Sequence, residues 1–132
     1  MNITIDTSAL IAVIGNEPSR PAIIESTRGC SLCAPMSVHW EIGNAFSAMF
    51  RRNNLDIATA KKALNAYRNI PIKFIDVALD KTLEICHPHR IYAYDAYLIQ
   101  CAQLTGAPLL TLDAGLKNKA RELGVTILEI TA

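Results

Sequence analysis

The chain has 132 residues, a hydrophobic fraction of 51% and a formal net charge of +1 at pH 7. This length fits one domain with a sizeable core, predicted over residues 1–132, and the apolar fraction excludes a disordered chain. No apolar stretch reaches the roughly 18 residues that span a bilayer, and the N-terminus lacks the features of a signal peptide, so we expect a cytoplasmic protein without a membrane partner.

In the first part of the chain, short apolar runs alternate with turn residues and indicate alternating strands and helices. Asp6 follows the first of these runs and, with Thr7 and Ser8, can cap the helix after it. In chain order we predict a strand over residues 2–5, a short helix over 9–13, a second helix over 18–27 and a second strand over 31–34.

The next segment has the period of an amphipathic helix, with Ser37 as its predicted N-cap. We place Glu41 in the first turn of this helix, and Asn44 follows three residues later on the same side. Asp56 is predicted to cap the helix after it. The predicted core-facing residues are Ile42, Ala45, Phe46, Met49 and Phe50 in the first of these helices and Ile57, Ala60, Leu64 and Tyr67 in the second.

The rest of the chain continues the alternation. Pro88 is predicted to end one helix, and the turn at 106–108 ends the next, which is apolar on most sides and therefore predicted to be buried. Asp95 lies in the first turn of that buried helix, and Asp113 follows the strand after it. In chain order we predict a strand over 72–75, a helix over 77–86, the buried helix over 94–104, a strand over 109–112, a helix lined by Leu116, Ala120 and Leu123, and a closing strand over 125–130.

The alternation favours one α/β domain, a sandwich of helices around a central, mostly parallel sheet of four to five strands. Strand ends and helix starts gather along one edge of such a sheet, so acids far apart in sequence can converge there. Carboxylates in one pocket repel one another, and a hard divalent metal is the obvious compensating charge. The candidate acids for metal-dependent phosphodiester chemistry are Asp6, Glu41, Asp95 and Asp113.

Each acid also has a purely structural interpretation. Asp6 and Asp113 could be N-caps, which is a common use of Asp after a strand, and Glu41 could be favoured by the helix dipole. Asp95 is harder to explain in this way, because an unpaired charge in an apolar helix is expensive to bury. Asp76, after the third strand, is interpreted as a cap or a solvated residue.

Basic residues are concentrated between residues 51 and 73 and again after Asp113. For any one of them a solvated helix face is the better interpretation, but together they suit a polyanion whose backbone must reach a metal. The candidate polyanion contacts are Arg51, Arg52, Lys61, Lys62 and Lys117.

The chain has four cysteines, at positions 30, 33, 86 and 101. In a reducing cytosol the default interpretation is free, buried thiols. A zinc site from Cys30, Cys33, Cys86, His87 and His89 is the weaker alternative, because the second half lacks the usual paired spacing.

Four short segments resemble, in order, the motifs of PIN-domain nucleases. They are Ile-Asp-Thr-Ser-Ala-Leu-Ile at 5–11, Trp-Glu-Ile-Gly-Asn-Ala at 40–45, Tyr-Asp-Ala-Tyr-Leu-Ile at 94–99 and Leu-Thr-Leu-Asp at 110–113. Each motif alone is weak, but the set runs from the first strand to the last helix. The compact length and the Glu-x-x-Asn helix look most like VapC-type toxins of toxin–antitoxin pairs.

The resemblance implies a PIN-like α/β/α sandwich and an Mg²⁺- or Mn²⁺-dependent endoribonuclease, with RNA as the polyanion. Carried over by position, the four candidate acids would be the catalytic and metal-holding residues, with support from Thr7, Asn44 and Thr111. A water activated by the metal would attack phosphorus and leave a 5′-phosphate and a 3′-hydroxyl. The expected partners are the RNA substrate, a small cognate antitoxin and a second copy of the chain.

The alternative is a PIN-like module that binds RNA or protein without cutting. A receiver-like phosphoacceptor domain does not fit, since it needs adjacent acids near the first strand. An Asp-x-Asp phosphatase does not fit either, because Thr7 and Ser8 follow Asp6.

Overall fold

The computed structural model of the chain describes residues 1–130. Its strands are β1 (Asn2–Ile5), β2 (Ser31–Pro35), β3 (Ile72–Ile75) and β4 (Leu109–Leu110). They form one sheet in the order β3-β2-β1-β4, and each neighbouring pair is parallel. The predicted α/β sandwich with a central parallel sheet is therefore confirmed.

Seven helices in the described residues connect and flank the strands. They are α1 (Thr7–Ile14), α2 (Arg20–Thr27), α3 (Ser37–Arg51), α4 (Ile57–Arg68), α5 (Leu79–His89), α6 (Ala93–Thr105) and α7 (Ala114–Glu122). Helix α1 packs against α2, α3 and α4, whereas α6 packs against α5 and lies on β1, β2 and β4. The sheet is thus enclosed between two helical layers, as parallel sheets require.

The order of the strands creates a switch point beside β1. The chain moves from β1 to β2 to β3 in one direction and then crosses to β4 on the other side of β1. In open α/β sheets, ligands bind at the carboxyl ends of the strands where the order reverses in this way. The fold therefore places its candidate site at the ends of β1 and β4.

Helix α6 is the central helix, as predicted. Its middle is almost completely enclosed, with Leu98, Ile99 and Cys101 at most 3% exposed. Gly106 ends it in the left-handed conformation at φ 65°, which glycine adopts without steric cost. No helix among the described residues is long and apolar enough to cross a membrane.

Three local predictions on α3 and α4 are wrong. Ser37 is the first helical residue and not the N-cap, because β2 runs to Pro35 and Met36 already has helical dihedrals. Phe50 and Ile57 are 37% and 61% exposed, since the last turn of α3 and the first turn of α4 extend past the packed core. The predicted cap by Asp56 is confirmed, with its carboxylate accepting from Thr59 N at 2.7 Å.

Other element boundaries also differ from the prediction. Helix α2 begins at Arg20, and α5 begins at Leu79 and continues through Pro88 to His89, where Arg90 in the left-handed conformation ends it. Strand β4 has only two residues. The predicted closing strand over 125–130 is reduced to one parallel bridge between Leu109 and Ile127, because so short a β4 offers no longer ladder.

Candidate active site

Asp6 is the most buried acid at the switch point. It directly follows β1, caps α1 by accepting a hydrogen bond from Ala9 N at 2.9 Å, and is only 4% exposed. Burial raises the pKa of Asp6, and the charge of Asp113 raises it further, against hydrogen bonds from Thr111, Ala9 and Ser8 that lower it. Asp6 is therefore both the predicted cap and a carboxylate that is costly to ionise.

Two hydroxyl groups hold the Asp6 carboxylate in place. The Ser8 hydroxyl lies 2.8 Å and 2.9 Å from its two oxygens, and Thr111 Oγ1 donates to Oδ2. Each hydroxyl also accepts a hydrogen bond from the backbone after β4. Ser8 Oγ accepts from Leu112 N at 2.9 Å, and Thr111 Oγ1 accepts from Asp113 N at 3.0 Å. Ser8 was not among the predicted site residues; its position two residues after a strand-end Asp is the only sequence signal for this role.

Glu41 lies in α3, opposite the start of α1. Helix α3 has no acid in its first turn, so Glu41 belongs to the second turn, and its predicted place in the first turn is wrong because the helix starts at Ser37. Thr7 Oγ1 donates to Glu41 Oε2 at 2.6 Å. Burial raises the pKa of Glu41, the Thr7 hydrogen bond lowers it, and the charges of Asp6 and Asp95 raise it.

Asp95 lies in the first turn of α6, as predicted, and is half-buried. Burial raises its pKa, the neighbouring charge of Asp113 raises it further, and Lys119 lowers it. No hydrogen bond contributes to this shift. Asp95 is therefore near two charged residues, the α7 cap Asp113 and Lys119 within α7, but has less local support than Asp6.

Asp113 is the exposed member of the group. It caps α7 and accepts from Gly115 N at 2.9 Å and Leu116 N at 3.2 Å. These two hydrogen bonds are those of an N-cap, so the structural interpretation of Asp113 as a cap is confirmed. Asn44, one turn beyond Glu41 on α3, is exposed.

The mutual effects on pKa place the four acids in one electrostatic group, which we call the acid cluster: Asp6, Glu41, Asp95 and Asp113. Carboxylate oxygens are the ligands that Mg²⁺ prefers, and it usually takes one or two of them together with water. Among residues 1–130, no three His, Cys, Asp or Glu side chains lie close enough to hold one ion. The donor set suits Mg²⁺ or Mn²⁺ in kind, and a pair of these acids would satisfy it in number.

The alternative zinc site from cysteines and histidines is not formed among residues 1–130. All four cysteines are free, Cys33 and Cys101 are buried, and Cys30 and Cys86 are half-buried. Burial raises the pKa of Cys101 to about 12, so its metal-binding thiolate form is disfavoured.

The candidate RNA contacts are spread over α3, α4 and α7 and their ends. Arg51 and Arg52 are at the far end of α3, roughly 15 Å from Glu41 along the helix axis at 1.5 Å per residue. Lys117 is paired with Glu129 at 3.4 Å. Exposed Lys61 and Lys62 lie on α4. Lys119, absent from the candidate contacts, is the basic residue whose charge reaches Asp95.

The comparisons with known proteins agree with this architecture. A family model described as PIN domain matches residues 3–122. The chain resembles the solved structure of PAE2754 from Pyrobaculum aerophilum, with 25% identity, a TM-score of 0.72 and coverage of 90% of this chain and 87% of that one. No curated protein matched the chain.

Two more solved structures share the fold at lower identity. One is VapBC2 from Rickettsia felis bound to a DNA fragment from its promoter, with 15% identity, a TM-score of 0.73 and coverage of 99% of this chain and 100% of that one. The other is a domain of a functionally unknown protein from Methanocaldococcus jannaschii, with 17% identity, a TM-score of 0.59 and coverage of 99% and 91%.

Proposed function

The chain belongs to the PIN-domain family, whose members are generally nucleases, and from this membership we propose that it is a divalent-metal-dependent endoribonuclease and the toxin of a type II toxin–antitoxin pair. The proposed nuclease domain takes in residues 1–132. The observation that carries the proposal is the acid cluster at the switch point, where burial and mutual repulsion raise the pKa of Asp6, Glu41 and Asp95. A cation at this place would offset the cost of ionising them.

Asp6, Glu41, Asp95 and Asp113 would hold Mg²⁺ or Mn²⁺, singly or in pairs, with water completing the coordination. When bound, such an ion supplies a Lewis acid for the phosphoryl oxygens and lowers the pKa of an attacking water. The remaining contributions come from the chain itself.

The side chains around Asp6 and Glu41 orient them for this role. Thr111 and Ser8 fix both oxygens of Asp6, and Thr7 fixes one oxygen of Glu41. These hydroxyls favour the ionised carboxylates, because each donates to the charged form. Asn44, exposed beside Glu41, would add an amide that can contact the RNA or support Glu41.

The proposed substrate is RNA, whose phosphates would meet the cations around the cluster. Lys119, whose charge acts on Asp95, would contact a phosphate there, and Lys117 would have to leave Glu129 to do so. Arg51, Arg52, Lys61 and Lys62 would contact RNA farther from the cut and would contribute mainly salt-dependent affinity.

The proposed partner is a small antitoxin encoded beside the chain. One structural neighbour is described as VapBC2 bound to promoter DNA, which is the kind of assembly we propose here. A basic side chain of the antitoxin near the acid cluster would block it by charge complementarity. A homodimer and a cytoplasmic location stay predictions.

Cleavage assays test the nuclease proposal. We expect RNA cleavage with Mg²⁺ or Mn²⁺ that EDTA stops and that Asp6→Asn or Asp95→Asn reduces by more than about 100-fold, since changes to groups behind metal ligands alone cost about 10–100-fold. Asp80→Asn is the matched control, because Asp80 is an exposed helix-start acid outside the cluster. Cleavage that survives both chelation and the two substitutions would rule out the metal mechanism.

The second candidate is a PIN-like module that binds RNA or protein without cutting. It is favoured by one observation: both oxygens of Asp6 and Oδ1 of Asp113 already have donors within the chain. Calorimetric titration with Mn²⁺ separates the two, because the nuclease must take up the ion and Asp95→Asn must weaken that uptake.

Co-expression with the adjacent reading frame tests the toxin assignment. We expect the two products to co-purify and the isolated chain to inhibit growth. Recovery of the chain alone, active on RNA and harmless to cells, would overturn the toxin assignment and leave the nuclease proposal in place.

A further inference from the structure

An open groove of about 550 Å³ lies between the starts of α3 and α6 and the end of β3. Trp40 and Tyr94 line it, and each directly precedes a cluster acid, Glu41 on α3 and Asp95 on α6. The two helices that carry acids therefore also supply the aromatic walls of this groove, which we call the aromatic groove.

Both rings are exposed and held by neighbouring rings. Trp40 is 64% exposed and Tyr94 is 45% exposed. Trp40 packs edge-on against His39 with centroids 4.8 Å apart, and Tyr94 packs edge-on against Tyr97 at 6.0 Å. Such fixed, exposed rings are suited to stacking with a planar ligand, as unpaired bases stack on proteins.

Polar groups also face the aromatic groove. Asp76, at the end of β3, lines it, is exposed, and takes part in none of the ion pairs of residues 1–130. Ser37 lines it as well, and its buried hydroxyl has no partner within the same residues. A carboxylate beside aromatic walls favours a planar ligand with N–H donors over a phosphate, which it would repel.

We propose that the aromatic groove binds one unpaired base of the RNA strand that is cut, with guanine preferred. The base would stack on Trp40 and Tyr94, and its two adjacent Watson–Crick N–H donors would meet the two oxygens of Asp76. Uracil offers one such donor and no amino group, so it fits less well. This inference rests on the proposed nuclease function, because it requires the phosphate beside the base to lie at the acid cluster.

The intrinsic fluorescence of Trp40 tests the proposal directly, because it is the only tryptophan of the chain. In EDTA, where no cutting is expected, a uridine hexamer with one central guanosine should quench Trp40 and bind roughly tenfold more tightly than the all-uridine hexamer, as expected for a two-donor contact. Tyr94→Ala should weaken binding roughly tenfold. Asp76→Ala should abolish the preference for guanosine.

Matched controls come from neighbouring residues outside the aromatic groove. Tyr92→Ala removes an aromatic that is 85% exposed at the start of the same helix, and Asp80→Ala removes a nearby acid; both should keep affinity and preference. Trp40 also lines a smaller groove of about 260 Å³ with Tyr67. Quenching that Tyr94→Ala leaves unchanged would assign binding to that groove and overturn the proposal.

The outcomes also separate this inference from the proposed function. Metal-dependent cleavage without quenching or guanosine preference would overturn the base-binding groove and leave the nuclease intact. Guanosine binding with the expected variant pattern but without cleavage would support the groove and overturn the nuclease. A change in molar mass on Trp40→Ala at unchanged RNA affinity would assign the groove to a second copy of the chain, again overturning the proposal.

Discussion

The strand side and the helix side of the acid cluster hold their carboxylates differently. Asp6, after β1, is 4% exposed and receives hydrogen bonds from two hydroxyls and one backbone amide. Asp95, on α6, is half-buried, and no hydrogen bond contributes to its pKa shift. Asp6, the strand-side acid, thus stabilises the fold as well as forming part of the site, whereas Asp95, the helix-side acid, contributes little to the fold.

The largest expected difference between the two sides is the stability lost when each acid is replaced by alanine. Asp6→Ala removes the cap of α1 and leaves the hydroxyls of Ser8 and Thr111 without their acceptor, so we expect a loss of about 1–2 kcal/mol in the free energy of unfolding. Asp95→Ala should change it by no more than about 0.5 kcal/mol. Urea unfolding in EDTA at about pH 4 measures both, because the raised pKa values of Asp6 and Asp95 leave little charge there for either substitution to remove; equal losses would contradict the distinction between the two sides.

A smaller effect is expected for Thr111→Val, which removes the strand-side hydroxyl at nearly constant volume. The loss should be about 1 kcal/mol. Because the Thr111 hydrogen bond lowers the pKa of Asp6, its removal should raise that pKa and move the acidic limb of the pH–activity profile to higher pH. Thr105→Val is the control, since the Thr105 hydroxyl bonds to the backbone of α6 and its end and to the Cys33 thiol on β2, and none of these partners is an acid; an identical shift there would contradict the assignment.

The pH dependence of stability tests how much the ionised carboxylates of the acid cluster destabilise the folded chain. Burial raises the pKa of Asp6, Glu41 and Asp95, so the folded state binds these protons more tightly than the unfolded chain. Their contribution is therefore most favourable below the ordinary carboxyl pKa and is lost as pH rises towards the raised values. Exposed Asp56 has a lowered pKa and acts in the opposite direction.

Unfolding in EDTA between about pH 4 and pH 8 should show this loss. Glu41→Gln should reduce it, with a gain of less than about 1 kcal/mol at neutral pH because Glu41 is partly solvated. Mn²⁺ should oppose the loss in the wild-type chain. If neither Mn²⁺ nor Glu41→Gln alters the decrease in the free energy of unfolding with pH, groups outside the acid cluster cause that decrease.

The smallest effect is expected for Asp113→Asn, which keeps the α7 cap but removes its charge. Stability should change by only a few tenths of a kcal/mol, because Asn and Asp cap helices almost equally well. Mn²⁺ affinity measured by calorimetry should fall if the charge belongs to the ion site. Unchanged affinity, together with a stability loss in Asp113→Ala, would make Asp113 a cap alone.

Most of the architecture could be predicted from local patterns. The period of the apolar residues located β1, β3 and the buried helix α6, and Asp56 was correctly predicted as a cap. The errors lie at element ends. Ser37 became helical because Met36, directly after β2, already has helical dihedrals, and the last predicted strand lacked a long partner. Such outcomes depend on neighbours that no local pattern contains.

The sequence by itself determined the order of strands and helices and the identities of the four acids, because apolar period and capping chemistry are local properties of the chain. Tertiary structure decided the hydrogen-bond partners and the burial of each acid. Only the crossover to β4 brings Thr111 onto Asp6 across the switch point, and only packing makes Asp6 buried and Asp113 exposed. Burial and through-space repulsion, which set the carboxyl pKa values, arise from contacts between residues far apart in the chain.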